Sequence, residues 1–249
     1  MAHSNACRGG AQVRAIVLAS VAENCDIALS MSVTNSLEQA TQYGVVPVIA
    51  IESAEQALPL ADALLAGGLP VAEITFRTTA AAEVIGRISR DRPNLIVGAG
   101  TVLTSENLQA AKDSGAAFAV APGLNPRIVE QAQKIGLPFV PGIATPTELE
   151  AALALGCRVV KFFPAEALGG VAMLEALAAP YKHTGIRFMP TGGVTTANLT
   201  SYLKMETVAA VGGTWIARKE DFAAGRWSEI EGRCKTVIEI VRTALAGGV

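Results

Sequence analysis

The sequence is poor in the residues that most metal and disulfide sites require. Of its 249 residues only two are histidine, His3 and His183, and only 4 are cysteine. A site built from several histidines is therefore excluded, and a Ser-His-Asp site would depend on His183 alone. The cysteines form no C-x-x-C pair and are too scattered for a zinc site or a disulfide framework, which fits a reducing cytoplasm. They are Cys7, Cys25, Cys157 and Cys234.

The chain also lacks a surplus of charge and a long apolar run. Its 20 basic and 22 acidic residues give a formal net charge of −2, so nothing predicts a nucleic-acid or anionic-membrane partner. No apolar run approaches the roughly 20 residues of a membrane helix. Apolar residues are 51% of the chain and charged residues 17%, which excludes overall disorder and a coiled coil and predicts a sizeable core.

The first 31 residues lie outside the pattern that follows them. The stretch AQVRAIVLASVA at 11–22 superficially resembles a signal peptide, because Arg8 and Arg14 come before or within it, but its apolar part is very short. We predict that residues 1–31 form a loosely ordered extension, with Met31 as a candidate alternative start. Residues 32–249 are predicted to form one domain.

From Val45 onward the chain repeats one unit, a short β-branched apolar run followed by a break and an alanine-rich helical stretch. Eight such units indicate parallel strands joined by helical crossovers, and eight units close a (β/α)8 TIM barrel. An open doubly wound sheet is the alternative. In a barrel of this kind the chemistry lies at the carboxyl ends of the strands. The predicted strands are 45–49, 71–75, 95–99, 117–121, 138–142, 158–163, 186–191 and 208–212.

Lys161 is the one lysine of seven that lies inside an apolar strand, in RVVKFFPAEA. Because it has the same parity as Val159, we expect both side chains to face the barrel interior. Apolar surroundings lower the pKa of a lysine in general, and the free amine can then attack a carbonyl. The alternative is a lysine that reaches solvent or a partner carboxylate for structural reasons only.

Glu73 is the matching carboxylate, in VAEITFRT of the second predicted strand, where it is in phase with Val71, Thr75 and Arg77. A buried ion pair of Glu73 with Arg77 or with Lys161 that serves structure alone is the alternative. Together the three charged groups offer an amine nucleophile, a proton shuttle and a planar donor fork that suits a substrate carboxylate.

Two glycine pairs follow the last two predicted strands, in PTGGV at 190–194 and VGGTW at 211–215. Paired glycines let backbone N–H groups approach an anion, and these loops are the usual phosphate site of a TIM barrel. GAGTV at 98–102 adds the hydroxyl of Thr101 near the same rim, unless that residue only makes a turn or a cap. A phosphorylated carbonyl substrate and an amine nucleophile indicate Schiff-base carbon–carbon chemistry.

The chain resembles the family of 2-keto-3-deoxy-6-phosphogluconate (KDPG) aldolase and 4-hydroxy-2-oxoglutarate (KHG) aldolase, because eight short motifs occur in the same order in both. The resemblance covers roughly residues 37–247, and its most specific block is KFFPAEALGG. The related galactonate-branch aldolase is expected to have smaller polar residues in place of Ala165 and Glu166, so the resemblance favours the gluconate enzyme. The motifs are VVPVI, EITFRT, GAGTV, PG at 122–123, PGIAT, KFFPAEALGG, PTGG and GGTW.

The resemblance implies a cytoplasmic, homotrimeric class I aldolase of the Entner–Doudoroff pathway that needs no metal or cofactor. It would cleave KDPG to pyruvate and glyceraldehyde 3-phosphate, with 4-hydroxy-2-oxoglutarate as a further candidate substrate. Lys161 resembles the Schiff-base lysine and Glu73 the general acid/base. The implied substrate contacts are Arg77 and Thr101 at the carboxylate, Pro122 and Phe163 at the pyruvyl carbons, and Thr191 near the C4 and C5 hydroxyls. The implied phosphate contacts are Gly192, Gly193, Gly212, Gly213 and Thr214.

Three other functions fit parts of this pattern. A phosphosugar isomerase or epimerase would use the glycine loops and a lone glutamate base but leaves Lys161 without a covalent role. A metal-dependent pyruvate aldolase needs more strand-end carboxylates than Glu73. A binding protein without activity would need a broken site, and no catalytic position is broken; at Thr214, where some family members have serine, the hydroxyl is retained.

Overall fold

The computed structural model describes residues 36–246 of the chain. The predictions for the first 31 residues, namely the loosely ordered extension, the signal-like stretch and the Met31 start, lie outside that range. Within it, short strands alternate with helices along the sequence.

The strands all pair in parallel, and they form two sheets. The larger sheet has the order β5-β4-β3-β2-β1-β9 and the smaller one the order β6-β7-β8. Two isolated parallel bridges, Phe188 with Val208 and Thr191 with Gly212, run between β8 and the segment around β9. The strands are β1 (Val45–Ile49), β2 (Val71–Thr75), β3 (Ile96–Gly100), β4 (Ala119–Val120), β5 (Phe139–Val140), β6 (Gly142–Ile143), β7 (Val159–Phe162), β8 (Arg187–Pro190) and β9 (Val211–Gly213).

The α-helices follow the strands, and three 3-10 segments, at Ala54–Gln56, Glu166–Leu168 and Ala179–Thr184, supplement them. They are α1 (Ser36–Thr41), α2 (Ala57–Ala66), α3 (Ala81–Asp91), α4 (Ser105–Asp113), α5 (Pro126–Lys134), α6 (Pro146–Ala154), α7 (Gly170–Ala178), α8 (Leu199–Leu203), α9 (Lys219–Ala224) and α10 (Trp227–Ala246).

Helix α6 shows how local sequence sets the ends of an element. The Thr145 hydroxyl accepts a hydrogen bond from the Glu148 N–H, and the Glu148 carboxylate accepts one from the Thr145 N–H. This capping box satisfies two backbone donors that the first turn leaves free, and Pro146 is preorganised for the first helical position. The helix ends before Gly156, whose φ of 76° is the left-handed conformation that glycine adopts without strain.

The predicted α/β class with parallel strands is confirmed, and each predicted strand overlaps an observed one. The fifth predicted strand is divided at Pro141, where the chain stops pairing with β4 and starts pairing with β7. Proline has no N–H to donate to a ladder, so it is a natural point for such a change of partner. The eighth strand is shorter than predicted and begins at Val211, with Val208 reduced to an isolated bridge.

The core consists of strand residues enclosed by the apolar faces of the helices. All five residues of β1 and all five of β2 are buried, as expected for a parallel sheet covered on both faces. Six polar or charged residues of the described range are buried. Two of them lie on β2, one lies on β7 and one directly follows β8. These four are Glu73, Thr75, Lys161 and Thr191.

Candidate active site

The structure brings Lys161 and Glu73 together inside the fold. Lys161 Nζ lies 3.6 Å from Glu73 Oε1, with side-chain exposures of 7% and 0%. Lys161 is on β7, in register with Gly142 and Met189, and Glu73 is on β2, in register with Val48 and Gly98. The two charges therefore come from strands that share no ladder, and their side chains meet across the interior.

The Glu73 carboxyl group is buried without a hydrogen bond. Neither of its oxygens has a partner in the described part of the chain, and the distance to Lys161 is longer than a hydrogen bond. An unsatisfied buried carboxyl group is costly, and a purely structural ion pair would be expected to satisfy its oxygens. The arrangement instead fits a proton acceptor that awaits a ligand beside an amine nucleophile.

Gly100 makes the space that the Glu73 carboxyl group occupies. A Cβ atom at Gly100 would lie 2.7 Å from both Cγ and Cδ of Glu73 and closer still to Oε1. The contact arises because β3 pairs with β2 in a register that sets Gly98 against Glu73 and Gly100 against Thr75. Gly100 belongs to the GAGTV motif, in which only Thr101 was predicted to be a site residue.

The alternative pairing of Glu73 with Arg77 does not form. Arg77 Nε donates to the Thr75 hydroxyl at 3.2 Å, and the Thr75 hydroxyl donates to the Ile49 carbonyl at 3.1 Å. Arg77 is exposed, and no ion pair links it to a described carboxylate. Its charge is therefore available at the end of β2.

Two predicted wall residues, Pro122 and Phe163, lie just after the ends of β4 and β7. The Lys161 ammonium lies 5.5 Å from the centre of the Phe163 ring. Pro122 is near the same strand end, because a Cβ at Gly142, the register partner of Lys161, would overlap the Pro122 carbonyl group. Phe163 thus directly contacts the lysine, whereas Pro122 approaches through the backbone next to it.

The predicted hydroxyl residues occupy two different environments. Thr101 is partly buried and has a φ of 56°, the one left-handed non-glycine residue described. A β-branched residue rarely adopts that conformation, and such strain is typical of functional sites. Thr191 is buried directly after β8, and its hydroxyl donates to the Met189 carbonyl at 3.3 Å.

The glycine pairs lie at the same end of the fold as Thr191. Gly192 and Gly193 have φ values of 98° and 80°, and their N–H groups donate to no other described residue. Gly212 closely contacts Thr191, since a Cβ there would lie 2.9 Å from Thr191 Cγ2. Gly213 ends β9, and Thr214 follows it as an exposed residue. Two free backbone donors on such a loop suit an anion.

Sequence reasoning missed two further residues at this loop, Glu166 and Tyr202. The Tyr202 hydroxyl donates to Glu166 Oε1, although 36 positions separate the two residues. Burial and the Glu166 carboxylate raise the pKa of the Tyr202 phenol above its usual range. Glu166 is part of KFFPAEALGG, but nothing local in the sequence indicates Tyr202 as its partner.

The structure carries neither a metal-ligand cluster nor a membrane helix in the part that it describes. Between residues 36 and 246, no three His, Cys, Asp or Glu side chains are grouped so that they can hold a metal ion. No helix in that range combines the length and the apolar character needed to cross a bilayer.

Comparisons with known proteins point to one family. Residues 35–233 match the family described as KDPG and KHG aldolase. A 2-dehydro-3-deoxy-phosphogluconate aldolase of Haemophilus influenzae is 44% identical over 214 residues, which cover 86% of this chain and 100% of that protein.

Solved structures agree with this match. A KDPG aldolase of Legionella pneumophila, with pyruvate captured as a covalent carbinolamine intermediate, is 38% identical with a TM-score of 0.77. The alignment covers 83% of this chain and 99% of that one. A KDPG aldolase of Zymomonas mobilis with 3-phosphoglycerate is 36% identical with a TM-score of 0.73, over 81% of this chain and 94% of that one.

Proposed function

The chain belongs to the KDPG and KHG aldolase family, and from this membership we infer that it is a metal-independent class I aldolase. Its reaction is the reversible cleavage of KDPG to pyruvate and glyceraldehyde 3-phosphate. The observation that carries this conclusion is the buried Lys161 ammonium 3.6 Å from a Glu73 carboxyl group that lacks any other partner.

Lys161 is proposed to supply the nucleophile. Its uncharged amine attacks the C2 ketone of KDPG, and the carbinolamine that forms loses water to give an iminium ion. The iminium withdraws electrons from the C3–C4 bond, which breaks to release glyceraldehyde 3-phosphate and leave an enamine. Protonation of the enamine at C3 and hydrolysis of the resulting iminium release pyruvate and restore the lysine.

Glu73 is proposed to move the protons in these steps. Carbinolamine dehydration needs a proton on the leaving hydroxyl, cleavage needs a base for the C4 hydroxyl, and the enamine needs a proton at C3. One carboxyl group beside the reacting carbons can serve each step in turn, because each transfer leaves it in the form that the next one requires. Its unpartnered oxygens support this role.

The remaining site residues are proposed to orient the substrate. The exposed Arg77 guanidinium and Thr101 bind the carboxylate, and the Phe163 ring together with Pro122 covers the pyruvyl carbons. Thr191 lies near the C4 and C5 hydroxyls. The phosphate is assigned to the glycine loops, with residues Gly192, Gly193, Gly212, Gly213 and Thr214.

Reductive trapping tests the covalent step. Incubation with pyruvate and borohydride is expected to place one adduct on the peptide that contains Lys161, read by mass spectrometry. Lys161→Arg should abolish the adduct, whereas Lys112→Arg, on the exposed face of α4, should leave it unchanged. A wild-type protein that forms no adduct, or that loses KDPG cleavage on treatment with EDTA, contradicts the Schiff-base mechanism.

A KHG activity is proposed as a second reaction of the same site. 4-Hydroxy-2-oxoglutarate has the same 2-keto-4-hydroxy unit but carries no phosphate, so it cannot use the glycine loops. We expect cleavage to pyruvate and glyoxylate with a lower kcat/KM than for KDPG.

We also propose that the two sheets belong to one (β/α)8 barrel within a domain of residues 32–249. Pro141 alone separates β5 from β6, so both count as one strand between β4 and β7. The bridges from Phe188 and Thr191 connect β8 with the segment of β9, which pairs with β1. These contacts support a closed ring, and a crystal structure with a ladder between β8 and β9 would test it.

We also propose that the protein is located in the cytoplasm and forms a homotrimer. A phosphorylated substrate is made and held inside the cell, and the two described cysteines, Cys157 and Cys234, are free, as in a reducing compartment. The trimer is inferred from the family resemblance. Light scattering tests it by measuring the mass of the native protein.

A further inference from the structure

A buried tyrosine and a glutamate of the KFFPAEALGG motif meet beside the Gly192–Gly193 loop. Tyr202, on α8, is 0% exposed, and its hydroxyl donates to Glu166 Oε1. Burial and the Glu166 carboxylate raise the pKa of Tyr202, so the phenol is protonated and acts as a donor at neutral pH. The bond links the segment that follows the Schiff-base strand to the helix that follows the phosphate loop.

Glu166 contacts the loop through both its backbone and its side chain. Its N–H donates to the Gly192 carbonyl at 3.0 Å. A Cβ at Gly193 would lie 2.5 Å from Glu166 Cβ and 2.8 Å from its Cγ, so the stem of Glu166 packs directly on the Gly193 backbone. Since Gly193 has no side chain of its own, the conformation of Glu166 limits where the loop can lie.

A carboxylate at this position can repel a phosphate that binds to the loop. The stem of Glu166 packs on the Gly193 backbone, beside the loop whose N–H groups are proposed to receive a dianionic phosphate, and a carboxylate repels such an anion. The Tyr202 hydroxyl binds one carboxylate oxygen and so restricts the group to one rotamer. Without that bond the carboxylate is free to turn toward the loop.

We propose that Tyr202 is a positioning residue for phosphate recognition, acting through Glu166; the proposal rests on the aldolase function inferred above. The Tyr202 hydroxyl fixes the Glu166 carboxylate, and the fixed Glu166 side chain keeps the Gly192–Gly193 donors open to the phosphate. Tyr202 therefore favours the phosphorylated substrate without touching it.

The substitution Tyr202→Phe tests this role by removing one oxygen. We expect the KM for KDPG to rise about tenfold while kcat changes by less than about twofold. The pyruvate concentration that half-saturates borohydride trapping of Lys161 should stay unchanged, because pyruvate has no phosphate. The matched control is Tyr181→Phe, which removes a 2.8 Å bond to the exposed Glu150 and should alter neither value.

Two Glu166 variants test the same bond from the other side. Glu166→Asp shortens the side chain so that it no longer reaches the Tyr202 hydroxyl, and it should reproduce the selective rise in KM even if Tyr202→Phe fails to fold. Glu166→Gln keeps an acceptor oxygen for the Tyr202 hydroxyl and removes the charge, so its KM for KDPG should rise less than that of Glu166→Asp.

The outcomes separate this proposal from the aldolase function. An unchanged KM for KDPG in folded Tyr202→Phe or Glu166→Asp overturns the role of Tyr202 and leaves the aldolase intact. An equal loss in KDPG cleavage and in pyruvate trapping also overturns it, since it would indicate general distortion of the site. A wild-type protein that neither traps pyruvate nor cleaves KDPG overturns the function itself.

Discussion

The substitution Gly100→Ala should displace Glu73 from its place beside Lys161. The added Cβ would lie 2.7 Å from Cγ and Cδ of Glu73, whereas ordinary contact begins at 3.4 Å. The carboxyl group must therefore retreat by about 0.7 Å, the difference between these distances, and Oε1 by more. Both residues lie on paired strands, so the backbone cannot move apart without breaking the ladder between β2 and β3.

This displacement predicts a large loss of activity from a single methyl group. A shift on the order of 1 Å in a catalytic group costs about 100-fold in rate, so kcat for KDPG cleavage should fall by about that factor. Pyruvate release is followed through the oxidation of NADH by lactate dehydrogenase. Gly232→Ala is the control, because it adds the same methyl group to α10 where no atom lies within 4 Å, and its kcat should not change.

A double substitution shows whether Gly100 acts through Glu73. In Glu73→Ala the atoms that would clash are absent, so the further change Gly100→Ala should cost no additional activity. Thermal melts followed by circular dichroism establish that each variant is folded. A folded Gly100→Ala protein with wild-type kcat, or an undiminished effect of Gly100→Ala in the Glu73→Ala background, would refute this account of the site.

Two further predictions concern Glu73 and Glu148. Glu73→Gln should slow KDPG cleavage about 100-fold or more, measured in the same coupled assay, because an amide cannot exchange protons, and an unchanged rate would return Glu73 to a structural role. Hydrogen bonds from the Ala144 and Thr145 N–H groups and the Thr145 hydroxyl hold the pKa of Glu148 below its usual value. Glu148→Gln should therefore lose about 1 kcal/mol of stability at pH 7. That stability is present above the unfolded pKa of about 4.3 and is lost as pH falls through the lower folded pKa, so the urea titrations of the two proteins should converge as the pH is lowered through this range. A difference that does not depend on pH would contradict the assignment.

Local sequence was enough to predict where the parallel strands lie, to within a few residues. Short β-branched runs with helical stretches between them indicate parallel strands, and the Thr145 capping box fixes the start of α6 through residues within one turn. The division at Pro141 was not predicted, because it depends on which strand lies on each side. An apolar run with a proline in it fits a continuous strand and a divided one equally well.

The proposed catalytic pair could be selected from the sequence because charge inside an apolar strand is rare. Lys161 in RVVKFF and Glu73 in VAEIT are each recognised from the sequence of their own strand, without reference to the rest of the chain. The alternation of side chains along a strand was less informative than expected. All five residues of β2 are buried, so alternation does not distinguish the face toward the interior from the face toward the helices. From the sequence, Lys161 and Arg77 were therefore equally possible partners of Glu73. Only the structure places Lys161 beside Glu73 and shows that Arg77 donates to Thr75.

The scarcity of histidine and cysteine, together with the rare charges inside apolar strands, thus predicted from the sequence alone the class of chemistry and the residues that are proposed to carry it. These are properties of composition and of side-chain type within one strand. The tertiary structure alone decided which groups meet: Gly100 against Glu73 through the register of two strands, and Tyr202 on Glu166 across 36 positions. Such contacts depend on strand register and helix placement, which arise from the packing of the whole chain, and so no local pattern records them.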